Sequence, residues 1–249
     1  MKGLIYRMFA PLHLRQSVDE LRKVEGRLGT PRNRFAVPFA FRGDGMFKSI
    51  RPRQNTMEIQ ALYDRVCELM PRRVLEIGTA NGGTLYLWTQ AAAEDATIVS
   101  VDLPGGKFGG GYPPPRGRFY QHFARPEQDL HLLRLDSHLP STLRQVREVF
   151  GGEPVDFAFI DGDHTYAGVK ADFIEYGPLV RPGGLIAFHD VLLSPRDPSK
   201  HVHVLWDQLK GRHETWEFVD HASDRKGHRV IGIGLLRVGP EGIKTDGLT

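Results

Sequence analysis

The sequence predicts an α/β protein: a doubly wound, mostly parallel seven-stranded sheet with an antiparallel C-terminal hairpin, preceded by an N-terminal accessory segment. Two observations carry this. The apolar run Val74-Leu75-Glu76-Ile77 feeds through a glycine-rich turn, residues 78–83, into a helix, and strand-length apolar runs then alternate with helical stretches as far as residue 209. The last two runs, residues 215–219 and 230–238, are joined by a polar loop without a helix, so they pair most simply as a hairpin at the sheet edge.

Residues 1–53 read as the accessory segment and residues 54–249 as the ligand-binding domain. In the first, Leu14, Val18, Leu21, Val24 and Leu28 recur at helical spacing over residues 12–28, and Pro31 and Pro38 follow. Phe35, Val37, Phe39 and Phe41 alternate as in a strand, and equally suit an arm laid across a pocket or against a second subunit of a homo-oligomer. Asn55-Thr56-Met57-Glu58 has the order of a capping box, and Ile59, Leu62, Tyr63, Val66, Cys67 and Met70 continue the helix that Pro71 ends. After the glycine turn the spacing predicts a helix over 84–93 and a strand over 97–102 that ends in Asp102. Residues 103–117 are dominated by glycine and proline and are expected as a loop, either a substrate lid at the binding edge or a surface insertion. A helix through 119–123, a strand over 130–135 leading to Asp136-Ser137 and a helix over 141–150 come next. A strand over 155–160 then ends in Asp161-Gly162-Asp163-His164, with a helix over 166–176. The turn Arg181-Pro182-Gly183-Gly184 launches a strand over 185–188 that ends in His189-Asp190, and a helix over 201–209 completes the alternation. Asp163 reads as a ligand or, preferentially, as the cap of the helix after it.

Composition narrows the class. A chain of 249 residues, 40% hydrophobic and 25% charged, has the make-up of a globular protein with a sizeable core. No run approaches the roughly 18 apolar residues of a membrane-spanning helix, and residues 1–9 lack a signal-peptide cleavage pattern, so a cytoplasmic location is expected. The single cysteine, Cys67, excludes an internal disulfide framework and reads as a small core hydrophobe. Charge is uneven: residues 1–53 hold 12 Lys/Arg against 4 Asp/Glu, and the remainder 21 against 26. The basic segment has no RNA-binding aromatic signature and no zinc-finger spacing, so a solvated arm is expected rather than a nucleic-acid surface.

The turn at residues 78–83 selects among ligands. No Gly-Lys-Ser/Thr follows the glycines, which excludes a P-loop. Reading Gly78, Ala80 and Gly83 as a dinucleotide fingerprint puts a methyl group at the middle position, where pyrophosphate needs close backbone approach. Glu76 repels phosphate and can accept hydrogen bonds from a cationic, phosphate-free ligand. Asp102 is placed to accept both hydroxyls of a ribose, and Asp136 and Ser137 lie where an adenine edge is expected.

This order of motifs resembles the class I S-adenosylmethionine-dependent methyltransferases over roughly residues 54–238. The resemblance is carried by Leu75-Glu76-Ile77-Gly78-Thr79-Ala80-Asn81-Gly82-Gly83, by Asp102 and by the terminal hairpin around Gly232-Ile233-Gly234. Within that class, Ile160-Asp161-Gly162-Asp163-His164-Thr165-Tyr166 and Gly183-Gly184-Leu185-Ile186-Ala187-Phe188-His189-Asp190 are similar to metal-dependent small-molecule O-methyltransferases, in particular those labelled cephalosporin hydroxylase and the macrocin-type sugar O-methyltransferases. The resemblance implies S-adenosylmethionine held by Glu76, Gly78, Thr79, Asn81, Gly82, Asp102, Asp136 and Ser137. It implies a divalent cation, magnesium or manganese, on Asp161 and Asp190; where relatives commonly place an acid before the final aspartate this chain departs with His189, read as the third ligand, whose imidazole would pull the preference toward transition metals. His164 with Asp161 is the implied catalytic pair, His164 as general base, and the implied acceptor is a hydroxylated small molecule, a sugar or secondary metabolite. Two other readings fit parts of the sequence: an NAD(P)-dependent oxidoreductase, from the βαβ unit and Asp102, and a non-catalytic S-adenosylmethionine-binding protein, which His189 and the basic arm permit.

Overall fold

In the computed structural model, which describes residues 2–106, 111–193, 197–224, 231–245 and 247–248, seven strands form one sheet in the order β3-β2-β1-β4-β5-β7-β6. The chain runs α1 (Lys2–Leu28), α2 (Val37–Ala40), α3 (Thr56–Leu69), β1 (Arg73–Ile77), α4 (Gly83–Ala91) and β2 (Thr97–Val101). It continues through α5 (Pro114–Tyr120), β3 (Asp129–Leu133), α6 (Pro140–Val149), β4 (Val155–Ile160) and α7 (Tyr166–Tyr176). β5 (Val180–His189), α8 (Val202–Leu209), β6 (Glu214–Phe218), α9 (His221–Asp224) and β7 (Ile233–Arg237) complete it. β1 to β5 pair in parallel, whereas β7 runs antiparallel to both β5 and β6. The expected hairpin is therefore present, with its second strand inserted next to β5. That reversal departs from the all-parallel sixth strand of dinucleotide-binding sheets.

Alternate residues along each strand serve two cores. Val74, Ile98, Phe157, Phe159 and Ala187 face a layer made by α1 to α5, while Leu75, Val99, Ala158, Ile160 and Ile186 face α6, α7 and α8. Trp88 of α4, fully buried, lies edge-on to Phe157 at 5.0 Å. Loss of such a side chain costs about 3–5 kcal/mol.

The accessory segment is built into the first core. Its helix begins earlier than expected, at Lys2, continuing across Pro11 at the loss of one intrahelical hydrogen bond. Residues 31–40 are not a strand: Pro31–Ala36 is a 3₁₀ turn and Val37–Ala40 an α-helical one, and both prolines sit in first turns where their missing N–H is tolerated. Phe35 packs on Tyr63 and Phe41 stacks on Phe119. The aromatics expected to offer a subunit contact are thus largely spent within the chain, and Phe39 carries Arg51 over its ring.

Two further expectations are corrected. Residues 103–117 are not all loop, because Pro114 and Pro115 open α5, where proline's fixed φ suits the first helical turn; residues 107–110 of the expected lid, and Val230 of the last strand, lie outside the described residues. The capping box is half formed. Asn55 accepts from the Met57 N–H, but Glu58 accepts instead from the N–H of Asp220, tying α3 to the hairpin loop. Among the described residues no helix is long and apolar enough to cross a membrane.

Candidate active site

The carboxyl ends of the parallel strands surround one hollow of about 730 Å³, within the range of small-molecule sites. Gly78 brings its two halves together. It has φ +99°, and a Cβ there would lie 2.2 Å from the carbonyl oxygen of Asp161. Only glycine lets the end of β1 pass so close to the end of β4. Gly83 does the same for the accessory segment, since a Cβ would meet the Ile50 carbonyl oxygen at 2.4 Å. Residues 50–54 are thereby laid beside the glycine turn.

On one side of the hollow stand Gly78, Ala80, Asp102, Asp136 and Ser137. Asp102 is buried and accepts from the Gly111 N–H at 3.0 Å. Burial raises its pKa, partly offset by the backbone N–H groups of Gly111, Tyr112 and Ala80. Asp136 caps its own turn by accepting from the His138 N–H, and the Ser137 carbonyl accepts from Tyr176. Thr79 and Asn81 line a narrower cleft beside Arg53 and Gln54. Thr79 and Ser100 hydroxyls are 2.6 Å apart, and Ser100 donates to Glu76.

Glu76 itself does not reach the hollow. Its position in β1 turns it into the first core, where it accepts from Trp88 Nε1 at 3.0 Å and from Ser100 Oγ at 2.6 Å. The structure thus replaces the expected ligand contact by an indirect one, Glu76 to Ser100 to Thr79. Burial pushes its carboxyl up to about 8, against the hydrogen bonds from Ser100 and Thr84. Gly82 likewise serves packing, with φ +78° and the Tyr120 ring where a Cβ would be.

Asp161, His164 and His189 line the other side, with Asp190 buried behind them against His164. One ligand atom each from Asp161, His164 and Asp190 lie within 4.8 Å of one another. His164 bridges the carboxylates, Nε2 3.3 Å from Asp161 Oδ1 and Nδ1 2.7 Å from Asp190 Oδ2. His189 Nδ1 lies 3.1 Å from Asp161 Oδ1 and 3.8 Å from Asp190 Oδ2, and its buried Nε2 has no hydrogen-bond partner among the described residues. Burial opposes ionisation of Asp161, but the charges and hydrogen bonds of His189 and His164 outweigh it and hold the carboxyl at about 2. Asp190 is held low by the same two imidazoles against its burial. Burial also works against charging His164, and the hydrogen bonds to Asp161 and Asp190 prevail, raising it to about 9. Asp190 adopts φ +62°, a left-handed conformation that costs a non-glycine residue roughly 1–2 kcal/mol and turns its carboxylate back toward β4.

The three-donor group therefore contains His164, where the sequence reading placed His189; His189 stands behind it, against Asp161. Two hard carboxylate oxygens and an imidazole at this spacing fit a divalent cation. Asp163 is not the helix cap. Thr165 caps α7 by accepting from the Gly168 N–H, and Asp163 accepts from the Thr165 N–H one turn earlier. Residues unforeseen from sequence also reach the site. Gln54 Nε2 donates to Asp161 Oδ2 at 2.7 Å, Lys200 pairs with Asp190, and His138 reaches the buried Asp172. None of them stands in a motif; Gln54 is marked only by its place before the Asn55 cap.

Comparison with known proteins agrees with this geometry. Residues 75–191, just under half of the chain, match a protein-family profile described as a methyltransferase domain. Over 126 residues the chain is 30% identical to the uncharacterized protein y4gI of Sinorhizobium fredii, a match that spans 49% of this chain and 13% of that protein. In fold it is similar to the O-methyltransferase TomG of Streptomyces achromogenes, solved with S-adenosylmethionine (TM-score 0.57, 16% identity, covering 91% of this chain and 98% of that one). It is similar to an O-methyltransferase of Bacillus cereus solved in complex with SAH (0.54, 17%, 84% and 97%) and to MycE, a methyltransferase of mycinamycin biosynthesis solved with Mg, SAH and mycinamycin VI (0.51, 17%, 92% and 56%). At these identities the likeness shows the fold. Residues 75–191 thus match a methyltransferase domain in sequence, and most of the chain shares the fold of these methyltransferase structures.

Proposed function

We propose that this chain is an S-adenosylmethionine-dependent O-methyltransferase acting on a hydroxyl of a small molecule, a sugar or secondary metabolite, with a divalent metal at Asp161 and Asp190 and His164 as general base. The observation that supports the reading is one hollow lined by Gly78, Asp102 and Ser137 and by Asp161 and His164, the last bridging Asp161 to the buried Asp190. In this reading the adenosine lies along Gly78, Ala80 and Asp102 toward Asp136 and Ser137, and its sulfonium faces the carboxylates. Residues 1–53 form an accessory segment whose last residue, Arg53, reaches the walls, and residues 54–249, which begin with Gln54, carry the chemistry.

Transfer requires the acceptor hydroxyl to lose its proton as its oxygen attacks the methyl carbon, while the C–S bond breaks and its electrons stay on sulfur. Asp190 holds the His164 Nδ1–H, so Nε2 is the atom that takes the proton, and Asp161 stabilises the imidazolium that results. Gln54 and His189 fix the Asp161 carboxylate from two sides. A divalent cation, magnesium or manganese, would be held by Asp161 and Asp190, leaving His164 Nε2 to take the proton, and would supply Lewis-acid polarisation of the acceptor oxygen when bound. Ile77, which lines the hollow at the end of β1, and Ile160, at the end of β4, are both buried.

Isotope-labelled S-adenosylmethionine, offered with hydroxylated sugars and secondary metabolites with and without magnesium or manganese, tests the reading. Labelled ether product, dependent on the cation and lost in His164→Ala, is expected. Saturable S-adenosylmethionine binding with no transfer to any acceptor under either condition favours the non-catalytic binding protein.

A further inference from the structure

Lys200 enters the hollow by a backbone tie: the His201 N–H donates to the carbonyl oxygen of His164 at 2.8 Å, drawing the preceding residue onto the rim. Its ammonium pairs with Asp190 Oδ2, the oxygen that also faces His164 Nδ1. The pair is nearly out of water, with side-chain exposures of 11% for Lys200 and 1% for Asp190. A divalent cation on Asp161 and Asp190 would take up lone pairs of this same carboxylate and stand beside the ammonium. Like charges so close, and so poorly screened, repel strongly.

We propose that Lys200 is a tethered counter-ion that the divalent cation must displace from Asp190, so that this lysine sets the metal concentration to which the site responds. The inference rests on the proposed metal site. A four-carbon stem lets the ammonium swing without movement of the backbone, and Asp163 and Asp197 on the same wall offer it another carboxylate. Lys200 is thus a positioning residue that holds Asp190 ready while the cation is absent, and its charge discriminates against weakly held ions.

The test is direct titration of manganese into the full-length protein, with free Mn²⁺ read by electron paramagnetic resonance, for wild type, Lys200→Met and Lys200→Arg. Lys200→Met should bind Mn²⁺ at least about tenfold more tightly than wild type, because a repelling charge has gone, and Lys200→Arg should stay within about threefold of wild type. A residue of purely structural importance would weaken the site when replaced, so tightening separates the two roles. Thermal unfolding and S-adenosylmethionine affinity serve as checks on folding, with Lys200→Gln in reserve should the methionine variant not fold. Equal or weaker Mn²⁺ binding in Lys200→Met, with binding still abolished by Asp190→Asn, overturns the displacement and leaves the metal site standing. Absence of saturable Mn²⁺ binding in wild type and Lys200→Met alike overturns both.

Discussion

Glu76 and Asp161 stand on neighbouring parallel strands, Glu76 one residue before the end of β1 and Asp161 one residue beyond β4, and their carboxyls titrate in opposite directions. Both are withdrawn from water. Glu76 has only neutral partners, an indole and two hydroxyls, and burial wins, so it is a protonated strut at neutral pH. Asp161 has two imidazoles and a carboxamide, and there the partners win. Burial alone therefore does not make a carboxylate available for chemistry. What does is the charge arranged around it.

Breaking the charged side should have the largest effect. Replacing His164 by alanine removes the proton acceptor and the bridge between Asp161 and Asp190, and should lower kcat by about 10²–10⁴-fold with little change in S-adenosylmethionine affinity. In the wild type, transfer should rise with pH as His164 loses its proton in the range around 9, since only the neutral ring accepts one. Added divalent cation neutralises the same two carboxylates and should move that rise to lower pH. A pH–rate profile with and without manganese checks both.

The neutral side should respond in stability. Glu76→Ala takes the acceptor from the Trp88 N–H, leaves the Ser100 hydroxyl only Thr79 and opens a cavity, a loss of about 3–5 kcal/mol in denaturant unfolding. Glu76→Gln should instead be close to neutral at pH 5. Between about 4.5 and 8 the folded protein keeps a proton on Glu76 that the unfolded chain has released, so stability falls as pH rises through that window. The glutamine variant should flatten the fall. Asp161 works in the opposite sense: its contribution is complete above 3.8 and is lost as pH falls through about 2. Trp88→Phe should cost less than Glu76→Ala, about 1–2 kcal/mol, by removing the indole N–H from Glu76 Oε1.

The strands and the order of motifs were legible because period-two apolar runs and the glycine turn are local signals. β1, β2 and β4 lie within a residue of their expected limits, and Asp102, Ser137, Asp161 and His164 line one hollow, with Asp190 against His164. The direction in which Glu76 points was not legible, because strand alternation says that successive side chains diverge but not which face holds the ligand. Gln54 comes from 107 residues away from the carboxylate it touches, and Lys200 from ten residues beyond Asp190 outside any periodic element, and no spacing encodes either contact. The helical turn at Val37–Ala40 was hidden by four alternating apolar residues, which suit a tightly packed turn as well as a strand.

Calorimetric titration of S-adenosylmethionine into wild type and Asp161→Asn, with methyl transfer followed in the same samples, tests most directly the claim that the two sides of the hollow divide the work. The account predicts cofactor affinity within about threefold of wild type and loss of transfer by at least about 10²-fold. Loss of cofactor binding in that variant would contradict it, by placing Asp161 among the groups that hold the donor.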